Sequence, residues 1–320
     1  MIYEPVWDDL DDRPLPQWYD EAKIGVFVHW GLYSVPAFHS EWFWFEWERG
    51  TPEVVEFVIK NNISSYESFA PKFTGEYFDP DDWAELFFEA GAKYVVLTAK
   101  HHDGFALFPS LGDPGWNSIE IGPHKDIVDL VAKSVRKYPM KFGVYYSLLE
   151  WHNKIYSKAK HELDIKMHAK YVQNVMFPDI KKLVKKYRPS VLWSDGDWAE
   201  QSYGSWRAEE ILAWIYNDGN VMDEIVTNDR WGQAARYNHG DFYSGDDRFV
   251  PKKLLLHKFE NAFTLDKASW GYRRQMDLMD FEEMLQLVVT TEMHWLMLDP
   301  RKKESYRMNS ENGFCIWANG

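Results

Sequence analysis

The sequence predicts an α/β fold in which parallel strands alternate with helices. Short apolar runs are separated by longer amphipathic stretches, which is the pattern of buried strands joined by helical crossovers. The runs are almost continuously apolar, so both faces of the sheet should be buried. The length of 320 residues also suits one large α/β barrel.

Six apolar runs predict the strands Ile24–His29, Tyr94–Thr98, Phe142–Ser147, Val191–Ser194, Ile225–Asn228 and Phe242–Ser244. The amphipathic stretches between them predict helices that include Pro80–Ala90, Lys125–Lys137, Lys170–Tyr187 and Ala208–Tyr216. Asp79 should cap the first of these helices, because aspartate is a favoured N-cap and Pro80 suits the first helical position.

Each predicted strand ends in a polar or aromatic cluster. His101 and His102 follow the second strand, and Asp195 follows the fourth. A TIM barrel builds its active site from side chains at the carboxyl ends of its strands, so we predict a (β/α)8-like TIM barrel. A doubly wound open sheet fits less well, because the sequence contains neither GxGxxG nor GxxxxGK[ST].

Composition and charge exclude several classes of protein. With 45% hydrophobic and 27% charged residues the chain can bury a core, which excludes wholesale disorder. The net charge of −14 argues against nucleic-acid and anionic-membrane partners. No apolar run approaches the roughly 18 residues of a membrane-spanning helix. The one cysteine, Cys315, excludes an internal disulfide framework and thiolate metal clusters.

Two features of the sequence concern its processing. Residues 1–20 have neither a basic region nor an apolar core, so they predict no secretory signal in this sequence. Asn62-Ile63-Ser64 is an N-glycosylation sequon and makes Asn62 a candidate glycosylation site.

Carboxylates near the predicted strand ends are candidates for catalysis. Asp195 follows a buried strand and could act as a nucleophile at an anomeric carbon, or simply cap a following helix. A glycosidase needs a second carboxyl group as acid/base, for which Asp247 and Glu260 are candidates. Either of these could instead be a surface acid paired with Arg248 or Lys258.

Histidine and tryptophan dominate the other clusters. His101 and His102 are adjacent, and consecutive strand residues should point to opposite faces, which argues against a zinc site there. Neutral imidazoles, including His29, could instead hydrogen-bond sugar hydroxyls. Five indoles offer flat apolar faces to a sugar, although about half of such rings should be core: Trp30, Trp42, Trp44, Trp47 and Trp193.

At these clusters the sequence resembles the α-L-fucosidases of glycoside hydrolase family 29, and in particular the animal lysosomal and plasma enzymes. The resemblance covers nearly all of residues 3–290. The matching stretches are residues 15–23, 28–31, 40–44, 100–105, 193–196, 227–232 and 269–274, which read LPQWYDEAK, VHWG, SEWFW, KHHDGF, WSDG, TNDRWG and SWGYRR.

The resemblance implies a catalytic barrel that releases terminal α-L-fucose from glycans and glycoproteins with retention. It places the nucleophile on Asp195 and the acid/base on Asp247 or Glu260. Asp247 is favoured because the adjacent Arg248 matches a sugar-binding position. The implied fucose pocket consists of His29, Glu41, Trp42, His101, His102, Tyr146, Trp193 and Arg248.

The same resemblance implies further properties of the protein. It implies no cofactor or metal, a lysosomal or secreted location, and compatibility with a homo-oligomer. Retention predicts that the two working carboxyl groups are about 5–5.5 Å apart. A fucose-binding barrel without turnover is the alternative function, and a barrel hydrolase for another sugar is a weaker one.

The family pattern breaks near Thr291, which divides the chain into a barrel of residues 1–291 and a divergent tail of residues 292–320. The codons of the tail, read in a shifted phase, permit the family's Asn-Val-Gly-Pro-Thr turn, so we interpret the tail as frame-shifted. The family's C-terminal β-sandwich is expected to be absent. Losing the last strand should leave edges on the first and seventh strands, which Trp295–Leu298 could partly cover. We therefore expect reduced activity or none.

Overall fold

The computed structural model describes residues 2–162, 164–199, 205–248, 250, 255–287 and 313–319. Its seven strands are β1 (Ile24–His29), β2 (Tyr94–Lys100), β3 (Lys141–Ser147), β4 (Val191–Asp195), β5 (Val226–Thr227), β6 (Glu260–Thr264) and β7 (Gly313–Asn319). They form one sheet in the order β5-β4-β3-β2-β1-β7-β6, and all neighbours are parallel.

Residues 242–243 close this sheet into a ring. Phe242 bridges in parallel to Asn228, which directly follows β5, and Tyr243 bridges in parallel to Phe259, which directly precedes β6. With this short segment the ring has eight strand positions. The predicted (β/α)8-like TIM barrel is therefore confirmed.

The strand that completes the ring comes from the divergent tail. β7 pairs with β1 over six residue pairs, from Ile24 with Phe314 to His29 with Asn319, and with β6 over five. The expectation of open edges is therefore wrong, because Gly313–Asn319 pairs both with β1 and with β6, which is the seventh strand position of the ring. Trp295–Leu298, the segment we expected in this position, lies outside the described residues.

Ten helices are described around the ring: α1 (Trp7–Asp11), α2 (Gln17–Glu21), α3 (Phe43–Glu48), α4 (Pro52–Lys60), α5 (Pro80–Glu89), α6 (Ile127–Val135), α7 (Lys154–Glu162), α8 (Ile165–Tyr171), α9 (Phe177–Tyr187) and α10 (Ala208–Asp218). Residues 281–287 are also helical. A π-helical turn, Val172–Met176, joins α8 to α9. The carboxylate of Asp79 accepts hydrogen bonds from the backbone amides of Asp81 and Asp82, which confirms the predicted cap of α5.

Alternation along the strands sorts their side chains between two cores. Phe27, Val96 and Trp193 point into the barrel, whereas Val28 and Leu97 pack under the helices. This alternation decides which strand residues reach the mouth of the barrel and which do not.

No helix in the described ranges is long and apolar enough to cross a membrane.

Candidate active site

A cavity of about 410 Å³ lies at the carboxyl ends of the strands. Eight of the residues that line it are predicted from the sequence: His29, Glu41, Trp42, His101, His102, Trp193, Asp195 and Asp247. Six further residues line it without having been predicted: Tyr145, Trp198, Arg230, Arg236, Asp246 and Trp270. The volume falls within the range of small-molecule sites.

Asp195 is the last residue of β4, and its side chain is held from both sides. The Tyr145 hydroxyl donates to Oδ2 at 2.7 Å, and Nη1 of Arg230 donates to Oδ1 at 3.0 Å. Burial alone would raise the pKa of this carboxyl, but the Arg230 charge and these hydrogen bonds outweigh burial and lower it. Asp195 is therefore an anion fixed at the base of the cavity rather than a helix cap.

Asp247 lies at the outer side of the cavity and shares its cation with Asp195. Nη2 of Arg230 donates to Oδ1 of Asp247 at 2.7 Å, so one guanidinium binds both carboxylates. The Arg230 guanidinium also lies 4.7 Å from the centre of the Trp193 ring. The side chain of Asp247 is 52% exposed, which leaves it accessible to water and to a ligand in the cavity.

Glu260 occupies a different environment from Asp247. It is the first residue of β6, lies fully buried inside the barrel, and accepts hydrogen bonds from the Tyr94 hydroxyl and from Nε1 of Trp193, both at 2.9 Å. Burial raises the pKa of Glu260 to about 7. The structure thus separates the two acid/base candidates, with Asp247 at the cavity and Glu260 behind the Trp193 ring.

Three imidazoles cluster in the cavity lining, close to Asp195. The ring centres of His29 and His101 are 4.8 Å apart, and those of His101 and His102 are 4.1 Å apart. The expectation that His101 and His102 face opposite sides is wrong, because β2 ends at Lys100 and strand alternation no longer applies. Burial lowers the pKa of all three histidines well below its ordinary value, so the imidazoles are neutral.

Hydrogen bonds fix the orientation of two of these rings. Nδ1 of His102 lies 2.6 Å from the Ser147 hydroxyl, and its Nε2 lies 3.7 Å from Oδ2 of Asp195. Nδ1 of His29 lies 2.5 Å from the Tyr33 hydroxyl. The ring nitrogens therefore have defined positions for binding a polyhydroxylated ligand.

Glu41 joins two loops at the cavity wall. Its buried carboxylate accepts hydrogen bonds at 3.0 Å from the Ser269 hydroxyl and from the backbone amides of Trp270 and Gly271. Burial raises the pKa of Glu41, although these hydrogen bonds oppose the shift. The contacts hold Trp270 at the cavity beside the Glu41 side chain.

Two residues predicted to bind substrate do not line the cavity. Tyr146 packs on the helix-facing side of β3 under Lys100, whose ammonium lies 4.4 Å from the ring centre, and Tyr145 points inward instead. Arg248 lies behind Trp270, with its guanidinium 4.7 Å from that ring and 2.9 Å from the Thr264 hydroxyl. Tyr145 lines the cavity in place of Tyr146, and Arg248 packs behind the Trp270 wall, so substrate binding by Tyr146 and Arg248 stays a prediction without a direct contact to the cavity.

The structure also places the five tryptophans and the glycosylation sequon that the sequence singled out. Trp42 and Trp193 line the cavity, whereas Trp44 stacks on Tyr66 at 4.6 Å and Trp30 packs among Phe73, Phe78 and Trp83. Trp47 also packs against the core. Asn62 is exposed just after α4, and its glycosylation stays a prediction. Within the described ranges, no group of three or more His, Cys, Asp or Glu residues could hold a metal ion.

Sequence reasoning missed Arg230 although a signal for it was present. Arg230 belongs to the polar cluster after β5 and to one of the stretches that resemble the family, yet no role was inferred for it. Asp246 likewise belongs to the polar cluster after the predicted strand Phe242–Ser244, whereas Trp198 and Arg236 carried no comparable signal. They reach the cavity from loops whose paths no strand or helix pattern predicts.

The chain matches the family model described as Alpha-L-fucosidase over residues 1–292. It is 46% identical to the alpha-L-fucosidase of Branchiostoma floridae over 291 residues, which are 89% of this chain and 64% of the relative. It is 46% identical to the tissue alpha-L-fucosidase of Homo sapiens over 290 residues, 89% of this chain and 61% of the relative. It is 44% identical to the plasma alpha-L-fucosidase of Rattus norvegicus over 298 residues, 91% and 64% of the two chains.

The fold is also similar to that of solved structures. The crystal structure of Thermotoga maritima alpha-fucosidase has a TM-score of 0.79 and 30% identity, and the match covers 99% of this chain and 71% of that one. The chain spans about three fifths of the length of the curated relatives it matches. The matches to the model and to these relatives confirm the resemblance seen in the sequence, and the chain belongs to the α-L-fucosidase family.

Proposed function

We propose that this chain is a retaining exo-glycosidase that releases terminal α-L-fucose from glycans and glycoproteins. The observation that carries the proposal is the pair of carboxylates, Asp195 and Asp247, bound by the one Arg230 guanidinium at the mouth of the barrel. Retaining glycosidases need two such carboxyl groups, one anionic and one able to exchange protons. Membership of the α-L-fucosidase family supports fucose as the sugar.

In the first step, an oxygen of Asp195 forms a bond to the anomeric carbon of fucose. The bond from that carbon to the glycosidic oxygen breaks, and Asp247 donates a proton to this leaving oxygen. In the second step, Asp247 takes a proton from water as the water oxygen attacks the anomeric carbon. The bond to Asp195 then breaks, which restores both carboxyl groups and releases fucose.

Asp247 suits the acid/base role better than Glu260. Asp247 lines the cavity and is half-exposed, so it can exchange protons with both the leaving oxygen and water. Glu260 is fully buried, and both of its oxygens already accept hydrogen bonds from Tyr94 and Trp193. A proton donor must lie within hydrogen-bond reach of the oxygen it protonates, a condition that access to the cavity favours for Asp247.

The rest of the cavity offers complementary surfaces to a 6-deoxy sugar. Neutral His29, His101 and His102 can donate or accept hydrogen bonds with hydroxyl groups. Trp42 and Trp193 supply apolar faces for the C–H surface and the C5 methyl group. The substrate class is therefore a fucosylated glycan, bound through its terminal fucose.

Hydrolysis of two aryl α-L-fucosides tests the proposal. We expect Asp195→Gly to abolish turnover of both, with azide restoring it because a small nucleophile replaces the lost carboxylate. Asp247→Asn should lose activity mainly on the substrate with the poorer leaving group, which needs the proton most. Glu260→Gln should affect both substrates equally. Selective loss in Glu260→Gln, with Asp247→Asn near wild type, would reverse the assignment.

The alternative is a barrel that binds fucose without turning it over. The observation in its favour is that the family match ends at residue 292, where we place the start of a frame-shifted tail. Binding of fucose by calorimetry, together with no hydrolysis of an aryl fucoside, would establish this alternative. Continuous in-frame coding of residues 292–320 in close relatives would refute the frame shift.

A lysosomal or secreted location is proposed by analogy with relatives named tissue and plasma alpha-L-fucosidase. Fractionation of cells that express the chain, with a lysosomal marker and the culture medium as the two reference fractions, tests the location. An exclusively cytosolic signal would contradict it.

A further inference from the structure

We propose that the Trp198 indole is a platform for the sugar ring to which fucose is attached, so that this enzyme selects its leaving group. The inference rests on the proposed function, because it concerns the second half of the same substrate. The ligand class is a pyranose with one apolar C–H face.

The first argument is the position of Trp198. It lies in the 3-10 turn Asp197–Ala199, which follows the nucleophile Asp195 with only Gly196 between them. Its side chain lines the cavity, and the residue is still 40% exposed. A ligand that covers this exposed part of the indole would remove apolar aromatic surface from water, which favours binding.

The second argument is that neighbouring rings fix the indole. Trp198 stacks against Trp42, with ring centres 6.1 Å apart and planes inclined by 22°. It also packs edge to face on His102, at 5.4 Å and 83°. An exposed ring that is held in this way offers a flat surface at small entropic cost.

The third argument is a connection between this turn and the loop that carries Asp247. Asp197 is fully buried, and its carboxylate accepts hydrogen bonds from Nε and Nη2 of Arg236, at 2.8 and 2.6 Å. Nη1 of Arg236 reaches the Gly245 carbonyl oxygen at 3.3 Å and the Asp246 carboxylate at 3.5 Å. Trp198 therefore has a fixed position relative to the proposed acid.

These positions define where the leaving group must pass. Its glycosidic oxygen has to lie against Asp247 to receive the proton, so the sugar ring beyond it extends outward past the same loop. Trp198, Arg236 and Asp246 all line this cavity. An indole together with charged hydrogen-bonding groups suits a pyranose, which has apolar faces and polar edges.

Two substrates that differ only in the leaving group test the inference. α-L-Fucosyl fluoride has no second ring and needs no acid, whereas a fucosyl-N-acetylglucosamine disaccharide has the full leaving group. We expect Trp198→Ala to lower kcat/KM about tenfold for the disaccharide and by a much smaller factor for the fluoride. Trp198→Phe, which keeps an aromatic ring, should recover part of the loss. Tyr77→Ala is the control, because Tyr77 is 91% exposed and does not line the cavity.

Each other result has a defined meaning. An equal loss on both substrates would mean that Trp198 acts through Trp42 and His102 on the fucose pocket, which overturns the inference. No loss on either substrate overturns it as well. If the wild-type chain hydrolyses neither substrate, the proposed function fails, and calorimetry then decides the inference. Trp198→Ala must weaken binding of the disaccharide but not of free fucose.

Discussion

At the scale of single residues, Arg230 is the group that brings the two proposed catalytic carboxylates together. Its guanidinium donates to Asp195 through Nη1 and to Asp247 through Nη2, and its flat face lies over Trp193. A guanidinium can do this because its donors diverge in one plane, whereas an ammonium group is a point charge. The sequence placed Arg230 near the barrel mouth but not between these carboxylates, since that depends on the loop after β5.

Arg230→Lys should therefore reduce kcat/KM on an aryl α-L-fucoside on the order of 100-fold, because a lysine cannot bind both carboxylates. Weaker pairing should also raise the pKa of Asp195, so the acidic limb of the pH profile should move to higher pH. Steady-state kinetics across a pH series measures both effects. Arg49→Lys is the control, since the Arg49 side chain is 60% exposed. An unchanged acidic limb would contradict the role given to Arg230.

Glu260 makes the stability of the chain depend on pH. Burial raises the pKa of its carboxyl from 4.5 to about 7, so the folded state binds this proton more tightly than the unfolded state does. The stabilising contribution of the proton is complete below pH 4.5 and is lost as the pH rises to about 7. The loss amounts to about 3 kcal/mol in the free energy of unfolding.

Glu260→Gln should remove this contribution, because an amide does not ionise. We expect the variant to gain stability relative to wild type as the pH rises from 4.5 to 7, and the difference to level off above that. Chemical denaturation at a series of pH values measures it. Parallel curves for variant and wild type over this range would be the contrary result.

At the scale of elements, strand alternation accounts for much of what the sequence predicted and for one of its errors. β1 has the predicted bounds, and β2, β3 and β4 begin or end within two residues of theirs. β6 was not predicted, because Glu260 and Asn261 interrupt its apolar pattern although both are buried. Two adjacent tyrosines in β3 could not be told apart from the sequence, since alternation assigns them to opposite faces without saying which is inside.

Paired substitutions in β3 test that assignment. Tyr145→Phe removes the hydroxyl that donates to Asp195 at 2.7 Å, so we expect kcat/KM to fall about tenfold. Tyr146→Phe removes a hydroxyl on the helix-facing side and should leave kcat/KM unchanged. Both variants remove one tyrosine hydroxyl, and they differ only in the face of β3 from which the side chain projects. Equal losses in both would contradict the inward position of Tyr145.

At the scale of the whole molecule, the fold class was predictable but the closure of the ring was not. Alternating strands and helices indicate a barrel, since each apolar strand must be buried on both faces. No pattern in the sequence favoured Gly313–Asn319 as the closing strand, because the preceding tail follows no family pattern. Its pairing with β1 and β6 joins residues far apart in the sequence, so no local segment could predict it.

Proline in this strand tests whether it closes the ring. Ile316 pairs with Val26 on one side and Phe263 on the other. Ile316→Pro removes its backbone N–H and with it a ladder hydrogen bond, which should lower the free energy of unfolding by about 1–3 kcal/mol. Ile316→Val keeps the N–H and serves as the control. Thermal unfolding measures both variants, and a proline variant as stable as the valine variant would show that β7 adds nothing to the barrel.

The position of β7 between β1 and β6 also affects the order of events during translation. Ile24–His29 is synthesised before the other six described strands, yet one of its two neighbours is made only when residues 313–319 are added. A nascent chain on the ribosome therefore carries β1 with this side unpaired until residues 313–319 have been added. Such exposed strand edges are the surfaces that chaperones protect, so the yield of folded protein should depend on chaperone supply.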